Sequence, residues 1–282
     1  MINSLLVILK GALLGIAFVI PGFSGGTMAV ILKIYDKLID IVSLNLKKIK
    51  ENLKANIIFT ALLAVGAIIG VLATSFGLSA LFEHFPVPTG CFFAGVVIGS
   101  LKPLWKECAG KEKFRRINII PLVAAAAFMV GMFIVDITLN GGSDTVQTSL
   151  TPVLAVKMFF GGIVAAVAMV VPGVSGSLMM TIMGLYQTLI TAIKDFNIPI
   201  LIFAGIGILV GLVGGARIIA LLFKKARQAT YAAIIGLIAG SVLSVFPFSS
   251  FALDMQGIIG IILIPVGIAL PILCDRLSPE GE

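Results

Sequence analysis

Charge is scarce in this chain. Asp, Glu, Lys and Arg make up only 12% of its 282 residues, while 59% are apolar. A soluble domain carries about 25% charge. So little polar surface cannot face water on every side, which excludes an ordinary soluble fold and makes lipid the solvent. Histidine is almost missing: His84 is the single one, so a histidine-based metal centre lacks ligands. Cysteine is limited to Cys91, Cys108 and Cys274. An odd number without metal-like spacing gives neither a disulfide framework nor a zinc site. No metal and no cofactor are therefore expected. The net charge of +7 would suggest nucleic acid in a soluble protein. In a membrane protein Lys and Arg collect in cytoplasmic loops, so no nucleic acid is expected as a partner.

What the chain has in abundance is apolar runs. They cover residues 4–20, 25–44, 57–81, 89–101, 117–138, 152–171, 175–193, 198–222, 230–247 and 256–274. Pro21-Gly22 interrupts the first of these before any convincing cleavage site, so the N-terminal run reads as a retained segment rather than a signal peptide. Gly66/Gly70, Gly95/Gly99, Gly207/Gly211 and Gly236/Gly240 each make a small-xxx-small face, the pattern that lets membrane helices approach closely.

The chain also repeats itself. PGFSGGTMAVILKIYDKLI at 21–39 and PGVSGSLMMTIMGLYQTLI at 172–190 share nine of nineteen residues. Downstream, 64–73 parallels 205–214, 89–100 parallels 230–241, and Asp136 and Asp275 each close a last helix. The expected repeats are 1–140, with a hairpin at 4–44 and helices at 57–81, 89–101 and 117–138, and 141–282, with a hairpin at 152–193 and helices at 198–222, 230–247 and 256–274. Lys47, Lys48, Lys50 and Lys54, then Lys102, Lys106, Lys111, Lys113, Arg115 and Arg116, then Lys224, Lys225 and Arg227 mark three loops as cytoplasmic. The connections 82–88, 139–151 and 248–255 carry no Lys or Arg and belong outside. Both termini then lie in the cytoplasm. Three crossings follow each opening pair, and an odd number inverts the second copy. The expected fold is an all-α polytopic membrane protein of two inverted-topology repeats, an architecture common among secondary transporters. Each opening pair is either two full crossings or a re-entrant hairpin. The uncharged FSGG and VSGS turns favour the hairpin, because irregular backbone at depth survives where protein or a wet cavity surrounds it.

The breaks suggest chemistry. Pro21 and Pro172 cannot continue a helix, and Gly22 and Gly173 permit unusual torsions. A new helix starts just beyond, with unpaired N–H groups and a positive dipole end. Ser24, Gly25, Gly26 and Thr27 at one tip and Ser175, Gly176 and Ser177 at the other are the candidate anion-binding residues. A plain kink for packing is the simpler alternative, but it does not explain why Ser-Gly is retained twice. Arg217, in the last third of its segment, suits a bidentate phosphate contact or equally a snorkel to the cytoplasmic face. Asp36, Glu83 and His84 are candidates for carrying a coupling H+ or Na+, set against a reading as solvated turns.

The doubled PGxSGG-TMAxILxIYD and PGVSGS-LMMxIMGLYQ motifs resemble those of the bacterial PopT-type polyprenyl-phosphate transporters, a family first described as a domain of unknown function. The resemblance spans nearly the whole chain. It implies a multi-pass protein of the bacterial cytoplasmic membrane that moves undecaprenyl phosphate from the outer to the inner leaflet, recycling the lipid carrier for peptidoglycan and other envelope polymers. Ser177 stands where the first motif has Gly26, and Leu178 where it has Thr27, so the two tips are not chemically identical. A transporter or channel for a small soluble anion would use the same tips. A membrane enzyme is not expected, since acid–base or metal chemistry needs side chains the apolar segments do not supply.

Overall fold

The computed structural model describes residues 4–19, 25–43, 53–110, 114–139 and 146–277. Pro21, Gly22, Ser24, Lys47, Lys48, Lys50, Lys111 and Lys113 lie outside the described residues. Among the described residues all regular structure is helical. The helices are α1 (Ser4–Val19), α2 (Gly25–Ile31), α3 (Tyr35–Val42), α4 (Leu53–His84), α5 (Pro86–Ala109), α6 (Ile119–Leu139), α7 (Pro152–Val170), α8 (Gly176–Ile182), α9 (Tyr186–Lys194), α10 (Ile198–Val245) and α11 (Met255–Leu277). Among the described residues six helices are long and apolar enough to cross a membrane. Their outer faces carry large exposed side chains such as Ile68, Ile120, Ile134, Phe160, Leu209 and Ile262. Apolar exposure on that scale fits a hydrocarbon solvent, not water.

Glycine seams build the bundle. A Cβ on Gly66 or Gly70 of α4 would collide with the carbonyl oxygens of Ile8 and Ala12 on α1. Gly207 and Gly211 of α10 meet the carbonyls of Phe159 and Ile163 on α7 in the same way. Gly95 and Gly99 of α5 press on Ile264 and Ile268 of α11, and Gly236 of α10 presses on Leu122 of α6. Residue numbers rise together across each seam, so every one of these pairs runs parallel. With no hydrophobic force between helices in lipid, close backbone approach is what gains dispersion energy. All four small-residue pairs are thus spent on packing.

Two helices form the centre. Gly90 at the start of α5 abuts Pro247, just past the end of α10, while Glu107 near the end of α5 pairs with Arg227 in α10 at 3.5 Å. The part of α10 beyond Ala226 therefore runs antiparallel to α5. Val97 and Ile238 are both 0% exposed, and their carbonyls accept from the buried hydroxyls of Ser100 and Ser241. The largest buried cluster gathers Met28, Ala29 and Tyr35 around Phe93, Val97, Ile234 and Ile238.

Several expected boundaries change. The runs 25–44 and 175–193 are each two short helices, not one. Residues 102–109, expected in a loop, continue α5 through Pro103, with Leu104 and Cys108 buried and Lys102, Trp105, Lys106 and Glu107 exposed. Polar residues at headgroup depth keep helical spacing, so the apolar run is shorter than the helix. The expected 223–229 loop is a bend confined to Ala226 (φ −148°, ψ 56°) inside α10. Glu83 and His84 form the last turn of α4 rather than a loop. The Lys/Arg-bearing ends of α5 and the α10 bend meet through the Glu107–Arg227 pair. At the opposite end the connections without Lys or Arg meet, with the His84 carbonyl accepting from Gln256 Nε2 at 3.1 Å.

Candidate functional site

The second break can be followed atom by atom. α7 stops at Val170 because Pro172 has no N–H to extend it. Gly173 then adopts φ +87°, and a Cβ there would sit 2.9 Å from the Leu237 carbonyl oxygen. Both the torsion and the space demand glycine. Leu237 is eleven residues beyond Ala226 and eight before Val245, about 17 Å and 12 Å along the helix. Ser175 caps α8, its Oγ accepting from the Leu178 N–H at 3.4 Å and lying 2.9 Å from Ser177 Oγ. Gly176 packs on α7, where a Cβ would meet the Ala165 carbonyl at 2.7 Å. Ser177 faces outward and is exposed.

The first break meets the second. Gly26 lies so close to Pro172 that a Cβ would stand 3.2 Å from its Cα and 3.4 Å from the Met169 carbonyl. Thr27, one residue on, is 1% exposed, and its hydroxyl has no hydrogen-bond partner among the described residues. A buried hydroxyl without a partner costs about 1–3 kcal/mol. Tyr35 reaches across as well, donating its hydroxyl to the Val170 carbonyl at 2.8 Å, one of the orphan acceptors at the end of α7. Gly26 and Tyr35 thereby join the start of α2 and the start of α3 to Pro172 and the end of α7.

Each break is followed by a second turn that the sequence did not announce. The Lys33 N–H donates to Val30 and that of Ile34 to Ala29. Gly184 and Leu185 repeat this with Thr181 and Met180. This is the helix-ending arrangement that puts a left-handed residue just past the helix: Lys33 at φ 56° and Gly184 at φ 66°. α8 and α9 diverge by 111° across it.

Other candidates lie elsewhere. Arg217 Nε donates to the Ser43 carbonyl at 3.0 Å, so its cation sits at the C-terminal end of α3, where a positive charge is favoured, and not among the tip residues. Asp36 accepts from the Tyr231 hydroxyl at 3.4 Å. Arg227 lies 5.5 Å from the Tyr231 ring, and Phe223 packs edge-on between Tyr231 and Tyr35. Glu83 and His84 stand at the α4–α5 turn, beside the start of α11. Tyr35, Phe223 and Tyr231 were not singled out by the sequence, and Arg227 only as a loop cation. The one available signal was the tyrosine at both 35 and 186. Among the described residues no cluster of His, Cys, Asp or Glu could hold a metal.

Short broken helices that meet inside a lipid-facing helical bundle define a polytopic membrane protein of transporter type. The match to the undecaprenyl phosphate translocase-like (VCA0040-like) family runs over residues 14–261, and the chain belongs to that family. A polyprenyl-phosphate transporter of Staphylococcus aureus is 30% identical over 98% of this chain and 97% of its own length. One from Vibrio cholerae is 28% identical over 87% of this chain and 79% of its own. No solved structure matches.

Proposed function

We propose that this protein translocates undecaprenyl (polyprenyl) phosphate across the bacterial cytoplasmic membrane, from the outer to the inner leaflet, returning the lipid carrier to envelope synthesis. The observation that carries the reading is the contact between the two breaks, with the partnerless Thr27 hydroxyl buried beside it. A phosphate monoester crossing hydrocarbon must exchange its water for fixed donors. The first N–H groups of α2 and α8, with Ser24, Gly25, Gly26, Thr27, Ser175, Gly176 and Ser177, offer such donors from two sides. At the second break Pro172 and Gly173 hold the backbone open, and Pro21 and Gly22 are proposed for the same part at the first. Arg217 contributes by fixing the end of α3. The isoprenoid tail needs no protein solvent and stays in lipid.

The reading includes two repeats, 1–140 and 141–282, inverted relative to each other, with α2–α3 and α8–α9 as the returning limbs of re-entrant hairpins. The antiparallel course of α5 and the end of α10, which are sequence-equivalent, supports the inversion. The place of Gly173 halfway along that last stretch of α10 supports a tip near mid-membrane. The gathering of Lys/Arg-bearing connections at one end supports cytoplasmic termini. Asp36 is the candidate carrier of a coupling H+ or Na+, being bonded to Tyr231 and open to exchange at its exposed carboxylate. Glu83 and His84, out at a helix turn, fit that role less well. The relatives are named as transporters, in keeping with a protein that is not an enzyme.

The test is translocation of labelled undecaprenyl phosphate in proteoliposomes. Wild-type protein moves it between leaflets; Ser24→Phe abolishes movement while insertion persists, and Arg217→Ala slows it. Transport of a soluble anion without movement of polyprenyl phosphate would sink the reading in favour of a small-anion carrier.

A further inference from the structure

A cavity of about 750 Å³ opens between the C-terminal end of α5, the short 116–118 turn and the bend in α10. It is distinct from the meeting point of the two breaks, and nothing in the proposed translocation uses it. Arg115, Lys225 and Arg227 bring cations to its wall, and Glu107 brings the one anion. Glu107 is taken by Arg227 at 3.5 Å. Arg115 and Lys225 have no ion-pair partner among the described residues.

The tendency of Lys and Arg to collect on the cytoplasmic side explains why these charges are here. It does not explain a half-open pocket shaped by three elements. The Gln228 side-chain oxygen accepts from the Arg115 backbone N–H at 3.0 Å and also from Asn118 Nδ2, and Asn118 is only 7% exposed. One carboxamide therefore ties the 116–118 turn to the first residues after the Ala226 bend. The Cys108 thiol donates to the Gln228 carbonyl at 3.5 Å from the third side. The cations are thus mounted on a fixed frame rather than on a free loop. A volume of this size lies within the usual range for a small-ligand site, and guanidinium groups suit phosphate oxygens.

We infer that this cavity is a second, separate phosphate-binding site at the charged end of the bundle, taking a phosphate monoester. The ligand is either the headgroup of a lipid phosphate or a free phosphate. Arg227 links it to the hairpin: an incoming phosphate competes with Glu107 for this guanidinium, which also covers the Tyr231 ring whose hydroxyl holds Asp36.

The chain carries one tryptophan. Trp105 is two residues before Glu107 and packs on Phe114, the neighbour of Arg115, with ring centroids 4.9 Å apart, so its emission senses changes in the two segments that carry Glu107 and Arg115. Titrating the purified full-length protein in detergent with inorganic phosphate and with farnesyl phosphate should give a saturable change in Trp105 emission. The double variant Arg115→Gln/Lys225→Gln should bind roughly tenfold more weakly, and Lys194→Gln, a cation at the other end of α10 from the Ala226 bend, should bind as wild type. The single variant Lys225→Gln, monitored for folding by circular dichroism, repeats the test should the double variant not fold. Tighter binding of farnesyl phosphate than of inorganic phosphate identifies a lipid headgroup as the ligand; equal binding identifies free phosphate. No saturable response to either, or equal affinity in the Arg115 and Lys225 variants, overturns the site. A response abolished by Ser177→Val and untouched by Lys225→Gln assigns the phosphate to the tips alone, which overturns this inference and leaves the translocation proposal standing.

Discussion

The segments around Gly26 and Ser177 start from similar sequences and differ in what surrounds them. At the first, Gly26 is wedged against Pro172, Thr27 is sealed in and Tyr35 is bonded to Val170. At the second, Ser177 is exposed and its hydroxyl is shared with Ser175. The aspartate at 36 has Gln187 as its counterpart, and the left-handed Lys33 has Gly184. A duplicated frame has thus kept its backbone while its side chains diverged. Backbone turns depend on a few positions that cannot change, and the remaining positions are free to take separate roles. The first segment buries its hydroxyl and packs its glycine against the other break, whereas the second leaves Ser177 at the surface, paired with Ser175.

Substitutions at matched positions can break this contrast. The largest effect is expected at Gly26. Valine there drives its side chain into the Pro172 backbone, where even a Cβ is tighter than usual. Gly26→Val should abolish lipid transport and lower stability by about 1–3 kcal/mol, while Ser177→Val, with open space around it, should leave the thermal unfolding midpoint nearly unchanged. Equal loss of stability in the two variants would erase the proposed distinction. Next comes the tyrosine pair. Tyr35→Phe orphans the Val170 carbonyl and should cost about 1–3 kcal/mol, read as a lower unfolding temperature in detergent. Tyr186→Phe should be close to neutral, because Tyr186 has no hydrogen-bond partner among the described residues.

These contrasts also show what could be read from the sequence. The membrane class, the helical fold and the family were legible, because apolar run length and the doubled Pro-Gly-x-Ser-Gly element are local signals. Close helix seams were legible in the small-residue pairs, all four of which are packing contacts. The turn after each tip was not. Gly184 alone hinted at it, and a lysine in the equivalent place masks the hint, since lysine has no preference for positive φ. The Tyr35–Val170 and Tyr231–Asp36 bonds span 135 and 195 residues, a pairing that no periodicity reports. Arg217 was ambiguous for a similar reason: its acceptor is a backbone carbonyl at the end of α3, a short helix that exists as a separate element only because of the unannounced turn before it.

Thr27 offers a finer cut than either of those pairs. Valine has nearly the same shape but no hydroxyl. A hydroxyl that serves only packing gives a Thr27→Val protein that transports normally and is somewhat more stable, since a buried partnerless group is removed. A hydroxyl kept for the passing phosphate gives the same or higher stability with transport reduced roughly tenfold, the equivalent of one lost hydrogen bond to a charged group. Only a measurement of both quantities on one preparation separates the two. The expected result is the second.

The smallest expected effect tests the frame itself. Lys33 and Gly184 occupy the same left-handed position, and an L-residue there costs about 1–2 kcal/mol relative to its preferred torsions. Lys33→Gly should therefore raise stability, but by less than that, since glycine also loses more backbone entropy on folding. Gly184→Ala should lower it by about 1 kcal/mol. Opposite signs in the unfolding temperature would mean that both turns persist in the folded protein and that lysine is tolerated at a cost. If transport falls in Lys33→Gly while stability rises, the strain at Lys33 is part of how the α2–α3 limb moves. Unchanged transport would make the strained lysine a relic of divergence between the two copies and confine the functional difference to Gly26, Thr27 and Asp36.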